Sequence, residues 1–117
     1  MTSCYEQFEV IVVPFPFTDK AATKRRPALV LSRKDIFNTP ASHSVMAMIT
    51  TATHSSWPLD VSITELKATG LTSPSIVRMK LFTLDHTQVI RTIGKLSDSD
   101  AAAVELTLKQ LLRLSCD

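Results

Sequence analysis

Proline punctuation limits this chain most. Pro14 and Pro16 alternate with Phe15 and Phe17 directly after the β-branched run Phe8 to Val13. A proline cannot donate to a sheet ladder, so this spacing predicts a first strand over Phe8 to Val13 that ends there. Pro27 stands between the cations Lys24, Arg25 and Arg26 and the apolar run Ala28 to Leu31. Its fixed φ suits the first residue of a strand, so a second strand is expected from Pro27 to Ser32. Arg26 is then pinned at a strand mouth and can be aimed at a ligand. The same residues also fit a solvated basic loop entering a strand.

Further short runs follow. Val45 to Thr51 reads as a third strand, Trp57 to Val61 as a fourth, Ser75 to Leu84 as a fifth and Val89 to Lys95 as a sixth. Short helical turns fit Lys34 to Phe37 and Ile63 to Ala68, the latter stopped by Gly70. In the fifth strand a period of two puts Ile76, Arg78, Lys80 and Phe82 on one face and Val77, Met79 and Leu81 on the other. Ser97 can cap a last helix, with Asp100 at the capping-box position. Ala101, Val104, Leu108, Leu111 and Ser115 form its apolar stripe, broadened by Leu112, and Leu106 falls opposite. The fold class is mainly β: a small, strongly bent barrel with a C-terminal helix.

The 117 residues make one domain, 1–117, and its 44% hydrophobic content suffices for a core without staples. No apolar run approaches a membrane span, and the start of the chain has no signal-type segment. A cytoplasmic protein is expected, with Cys4 and Cys116 as free thiols. Charge is unevenly spread. Residues up to Asp19 carry three acids and no Lys or Arg, whereas Lys20 to Lys80 holds nine bases against three acids. A cationic middle suits a polyanion groove, as well as a solvated loop face.

Two glycines leave no phosphate-cradling loop, and His43, His54 and His86 make no zinc-like cluster. What remains is cation plus hydroxyl. Arg26 heads the second strand, Thr50 and Thr51 end the third, and Arg78 and Lys80 share a face about 6.6 Å apart along the fifth. Arginine offers a planar donor fork to a phosphate, and such a site can stabilise extra charge on a phosphorane-like transition state.

With these residues the chain resembles the MazF/PemK family of toxins from bacterial toxin–antitoxin pairs. The carriers are Val12-Val13-Pro14-Phe15-Pro16-Phe17-Thr18-Asp19, Lys24 to Ser32, Ile49-Thr50-Thr51, Gly70-Leu71, Pro74 to Arg78, Phe82-Thr83-Leu84-Asp85 and Ile93-Gly94-Lys95-Leu96. The resemblance implies an SH3-like barrel, a homodimer and a cognate antitoxin. It implies a metal-independent endoribonuclease without cofactor, cutting single-stranded RNA by 2′-OH attack to give a 2′,3′-cyclic phosphate and a 5′-OH. Arg26 takes the family's catalytic arginine position and Thr50 that of its hydroxyl partner. Substrate binding then falls to Arg25, Thr51, Arg78, Lys80, Thr18 and Asp19. There are departures. Phe8-Glu9 stand where the family often has Gly-Asp, and Lys80 holds the place of an aspartate used in the PemK branch. Trp57-Pro58-Leu59-Asp60 lies outside the motif, and Trp57 is a core, interface or base-stacking residue. The lysine keeps open a catalytically inactive member that binds RNA or protein, and beyond it a purely structural dimer module.

Overall fold

The computed structural model describes residues 4–15, 24–53 and 56–114. Six strands form one curled antiparallel sheet: β1 (Glu9–Phe15), β2 (Lys24–Val30), β3 (His43–Thr51), β4 (Val61–Ser62), β5 (Ser75–Asp85) and β6 (Arg91–Lys95). Their order across the sheet is β4-β5-β3-β2-β1-β6. Between β2 and β3 a wide turn over Lys34–Asn38 runs into a single helical turn, α1 (Thr39–Ala41), and the chain closes with α2 (Asp98–Leu112). This is the mainly β fold with a C-terminal helix expected above, with β4 and β6 as the open edges. Among the described residues no helix is long and apolar enough to cross a membrane.

Both prolines sit inside strands, and pairing explains why. β1 continues through Pro14, opposite Arg25, to Phe15. Its pairing with β6 stops at Val12–Arg91, so Pro14 lies on a one-sided stretch where the missing N–H costs no ladder bond. β2 starts three residues earlier than expected, and Pro27 stands opposite Val12 in mid-strand. Its pairing with β3 starts only at Ala28–Met48, so Pro27 too stands where one edge is free. β4 is shorter than expected, because Trp57 to Asp60 forms a turn instead.

Both sheet faces are covered near the middle, which is why β1 and β2 read as unbroken apolar runs. One face carries Val10, Leu29, Ala47, Ile49, Val77 and Met79, and α2 adds Val104, with Ala101 and Leu108 packed alongside. The other carries Ile11, Val13, Ala28, Val30, Met46 and Leu84, with Tyr5. Full burial of each such side chain stabilises by about 1.5–3 kcal/mol. The stripe of α2 ends at Leu108: Leu111 and Leu112 are exposed, Ser115 lies outside the described residues, and Leu106 is exposed as its position implied. The expected period-two faces of β5 hold, although two residues, Met79 and Lys80, bulge between the pairs Ala47–Leu81 and Met48–Arg78.

Ser97 caps α2 by accepting from the Asp100 N–H, but the Asp100 carboxylate does not return the bond. It turns outward and accepts from the Thr64 N–H and hydroxyl and the Glu65 N–H. Burial pushes this carboxyl up, yet those hydrogen bonds outweigh it and hold Asp100 below the ordinary 3.8. The helix is thereby tied to the segment after β4. A 3-10 turn, Lys67–Thr69, follows and ends at Gly70 with φ +77°. A Cβ on Gly70 would overlap the Ile93 carbonyl, and one on Gly94 would overlap the backbone of Ala68 and Thr69. The two glycines let the turn lie directly on β6. Before β1, Phe8 takes φ +71°, a left-handed conformation rare for a bulky residue. It is held there by bonds from its N–H to Val30 (2.7 Å) and from the Leu96 N–H to its carbonyl (3.0 Å).

Candidate functional site

The second sheet face changes character along its length. Ala28 and Val30 in β2 give way to Arg26, Met46 and Met48 in β3 to Thr50, Val13 in β1 to Phe15, and Phe82 in β5 to Lys80 and Arg78. Period two keeps all of these on one side. Arg26 stands opposite Val13 on β1. Arg26 and Thr50 lie two residues beyond the bridged pair Ala28–Met48, on neighbouring strands. Phe15, Arg26, Met48, Ile49, Thr50, Arg78 and Lys80 line one cavity of about 200 Å³. Four expected site residues thus converge: Arg26, Thr50, Arg78 and Lys80. Arg26 is exposed and enters no ion pair among the described residues, so its guanidinium can be spent on a ligand.

Arg78 is held differently. It is largely buried and clamped to Asp60, with Nε to Oδ1 at 3.1 Å and Nη2 to Oδ2 at 2.9 Å. These hydrogen bonds hold the Asp60 carboxyl below its ordinary 3.8, against the opposing effect of burial. Asp60 also accepts from the Trp57 N–H (3.0 Å), closing the turn on itself. The Trp57 ring lies under the Lys80 ammonium, 4.4 Å from centroid to Nζ, a cation–π contact. Lys80 is therefore steered by an indole, and a carboxylate reaches Arg78 from the β3–β4 connection. Sequence reasoning missed Asp60. The only signal was its place as one of three acids in the cationic stretch.

Two further cavities adjoin, both also lined by Arg26. One, about 250 Å³, is rich in hydroxyls from Thr50, Thr51, Thr72, Ser73 and Ser75. Thr51 is exposed, with its hydroxyl 3.1 Å from that of Thr53. The other, also about 250 Å³, is lined by Arg25, Arg91 and the Gly70–Leu71–Thr72 segment. Arg25 thus points to the opposite sheet face from Arg26. Thr18 and Asp19 lie outside the described residues. Among the described residues no group of acids, His and Cys could hold a metal ion. An exposed guanidinium, a threonine hydroxyl and a second cation around one small cavity can bind a phosphodiester and stabilise charge developing on it.

The sequence and the fold both have counterparts among known proteins. Residues 6–112 match the model of a family described as PemK-like, MazF-like toxin of type II toxin–antitoxin system. Among solved structures, a chain of the MazE–MazF complex of Deinococcus radiodurans is 22% identical with a TM-score of 0.75, covering 97% of this chain and 100% of that one. The Mycobacterium tuberculosis toxin MazF-mt6 is 24% identical with a TM-score of 0.71, covering 92% and 98%. A chain of a mycobacterial endoribonuclease in complex with its cognate antitoxin is 14% identical with a TM-score of 0.74, covering 98% and 99%. No curated protein matches.

Proposed function

Since the chain belongs to the PemK/MazF family of toxins of type II toxin–antitoxin systems, a family of endoribonucleases, we propose that it is a single-domain, metal-independent endoribonuclease that cuts single-stranded RNA. The observation that carries this reading is the convergence of Arg26 and Thr50, from neighbouring strands, on one cavity at the cationic end of the sheet. A phosphodiester seated there meets the Arg26 fork on its non-bridging oxygens, with Thr50 donating a further hydrogen bond. The adjacent ribose 2′-oxygen attacks phosphorus and gives up its proton as the P–O5′ bond breaks. The departing 5′-oxygen gains a proton, leaving a 2′,3′-cyclic phosphate and a 5′-OH. Arg26 stays protonated throughout and acts by stabilising charge as it builds on the phosphoryl oxygens. Lys80, placed by Trp57, and Arg25 and Thr51 from the adjoining cavities hold flanking RNA.

The solved relatives include complexes with antitoxins, and a cognate antitoxin with an acidic or amphipathic tail suits the cationic face of this chain. Homodimeric assembly fits the same family. The decisive experiment is incubation with mixed-sequence single-stranded RNA in EDTA. Discrete fragments ending in cyclic phosphate are expected, with Arg26→Ala slowing cleavage by about 10²–10³-fold. A second reading, an RNA-binding member that does not cut, is favoured by one observation: Lys80 stands where a carboxylate is used in the PemK branch. It predicts retained RNA and no products.

A further inference from the structure

The cavity that opens on the opposite face shares Arg26 with the cleavage site and adds two cations of its own, Arg25 and Arg91. Arg25 pairs with Pro14 and Arg91 with Val12, so both side chains stand on the face of Val12, away from Thr50. The pairing sets their Cα atoms two strands apart and two residues offset, about 12 Å by sheet geometry. Two arginine side chains can close that gap on one phosphate. Both are exposed, and neither enters an ion pair among the described residues. No described residue lining the cavity is acidic. The wall opposite is fixed, because Gly70 packs on the Ile93 backbone and sets Thr72 over the cavity. Arg26 lines this cavity, the hydroxyl cavity and the Lys80 cavity alike, so the three form one track around the start of β2.

We propose that Arg25 and Arg91 form a second phosphate subsite, which holds a phosphate of the same RNA strand flanking the scissile one after the strand passes Arg26 and the hydroxyls of Thr72 and Ser73. The proposal rests on the ribonuclease reading and adds to it a binding residue, Arg91, that lies outside the motif.

The test measures binding of 2′-O-methyl RNA, which resists 2′-OH attack, as a function of NaCl. Each phosphate contact to a single strand contributes about 0.7 to the slope of log K against log salt. Arg91→Ala is expected to lower the slope by about that amount and to weaken binding about five- to tenfold at 0.1 M salt. Arg91→Lys keeps the slope, since the charge stays. Lys34→Ala, beyond the far end of β2, behaves as wild type. Thermal melts confirm folding, and Arg91→Gln gives the same reading should the alanine variant melt. A wild-type slope in Arg91→Ala and Arg91→Gln, with RNA still bound and cut by the parent, overturns the subsite alone. The same holds if those variants lose only antitoxin affinity. A parent chain that neither binds nor cuts RNA overturns the ribonuclease reading along with it.

Discussion

Asp100 is the most informative residue to remove, because it ties α2 to the segment that walls the site. Its side chain is almost fully buried and accepts from the Thr64 N–H (3.1 Å), the Thr64 hydroxyl (2.7 Å) and the Glu65 N–H (3.0 Å). Hydrogen bonds to a charged group contribute about 1.5–3 kcal/mol each when dry. Thr64 and Glu65 are exposed, so water takes over part of the loss in Asp100→Ala, and about 3 kcal/mol in all is a fair figure. A domain of this length has an unfolding entropy near 0.25 kcal/mol/K, so the melting temperature should fall by about 12 °C. Asp100→Asn keeps one carbonyl acceptor and should lose roughly half as much. The pH dependence has a definite sign. The folded carboxyl lies below the ordinary 3.8, so its contribution is fully present above that value and is lost as pH falls through the folded pKa. The gap between parent and Asp100→Asn should hold from neutral pH down to about 4 and close below it. Hydrogen exchange should speed up at Thr64 and Glu65. A melting point for Asp100→Ala within about 2 °C of the parent, or unchanged protection at those two amides, would refute the reasoning.

Other outcomes follow from the packing and the clamp. Gly94→Ala should destabilise by about 1–3 kcal/mol, because the new Cβ meets the Ala68 and Thr69 backbone rather than a movable side chain; thermal melts check this. Gly70→Ala should cost more, since left-handed strain adds to the overlap. Trp57 is the only tryptophan, so its fluorescence reports the clamp directly. Asp60→Ala should lower its anisotropy and tighten RNA binding on the order of two- to fivefold, by releasing the Arg78 fork and removing a negative charge from the groove. In the parent the same loosening should occur only as pH drops below 3.8, because Arg78 holds the Asp60 carboxyl beneath that value.

The strands were legible because their signal is local. Period two placed Arg78 and Lys80 on the correct face of β5, and Ser97 announced the start of α2. The position of Thr50 near the end of β3 was legible from the apolar run before it. The prolines misled because a sheet position tolerates proline whenever one edge lacks a partner, and the partner's extent is set elsewhere in the chain. Asp60 and Arg91 were missed for the same kind of reason. Asp60 reaches Arg78 across 18 residues of sequence, and Arg91 shares a cavity with Arg25 only because β1 lies between β6 and β2. The outward turn of Asp100 was hidden too: the capping-box pattern describes the helix alone, while Thr64 and Glu65 compete for the same carboxylate.

The two-residue bulge in β5 carries a rule about which length changes this fold can absorb. Met79 and Lys80 add two steps opposite a single step of β3, so Val77 and Met79 still face one core while Phe82 and Leu84 face the other. An insertion of one residue at the same place would exchange the two sets downstream, sending Phe82 and Leu84 to the wrong side and breaking their register with Met46 and Ser44. Length variation here is therefore quantised in pairs. An even number of residues added or removed here would shift the cation at position 80 along the strand in steps of about 6.6 Å, without redrawing the core.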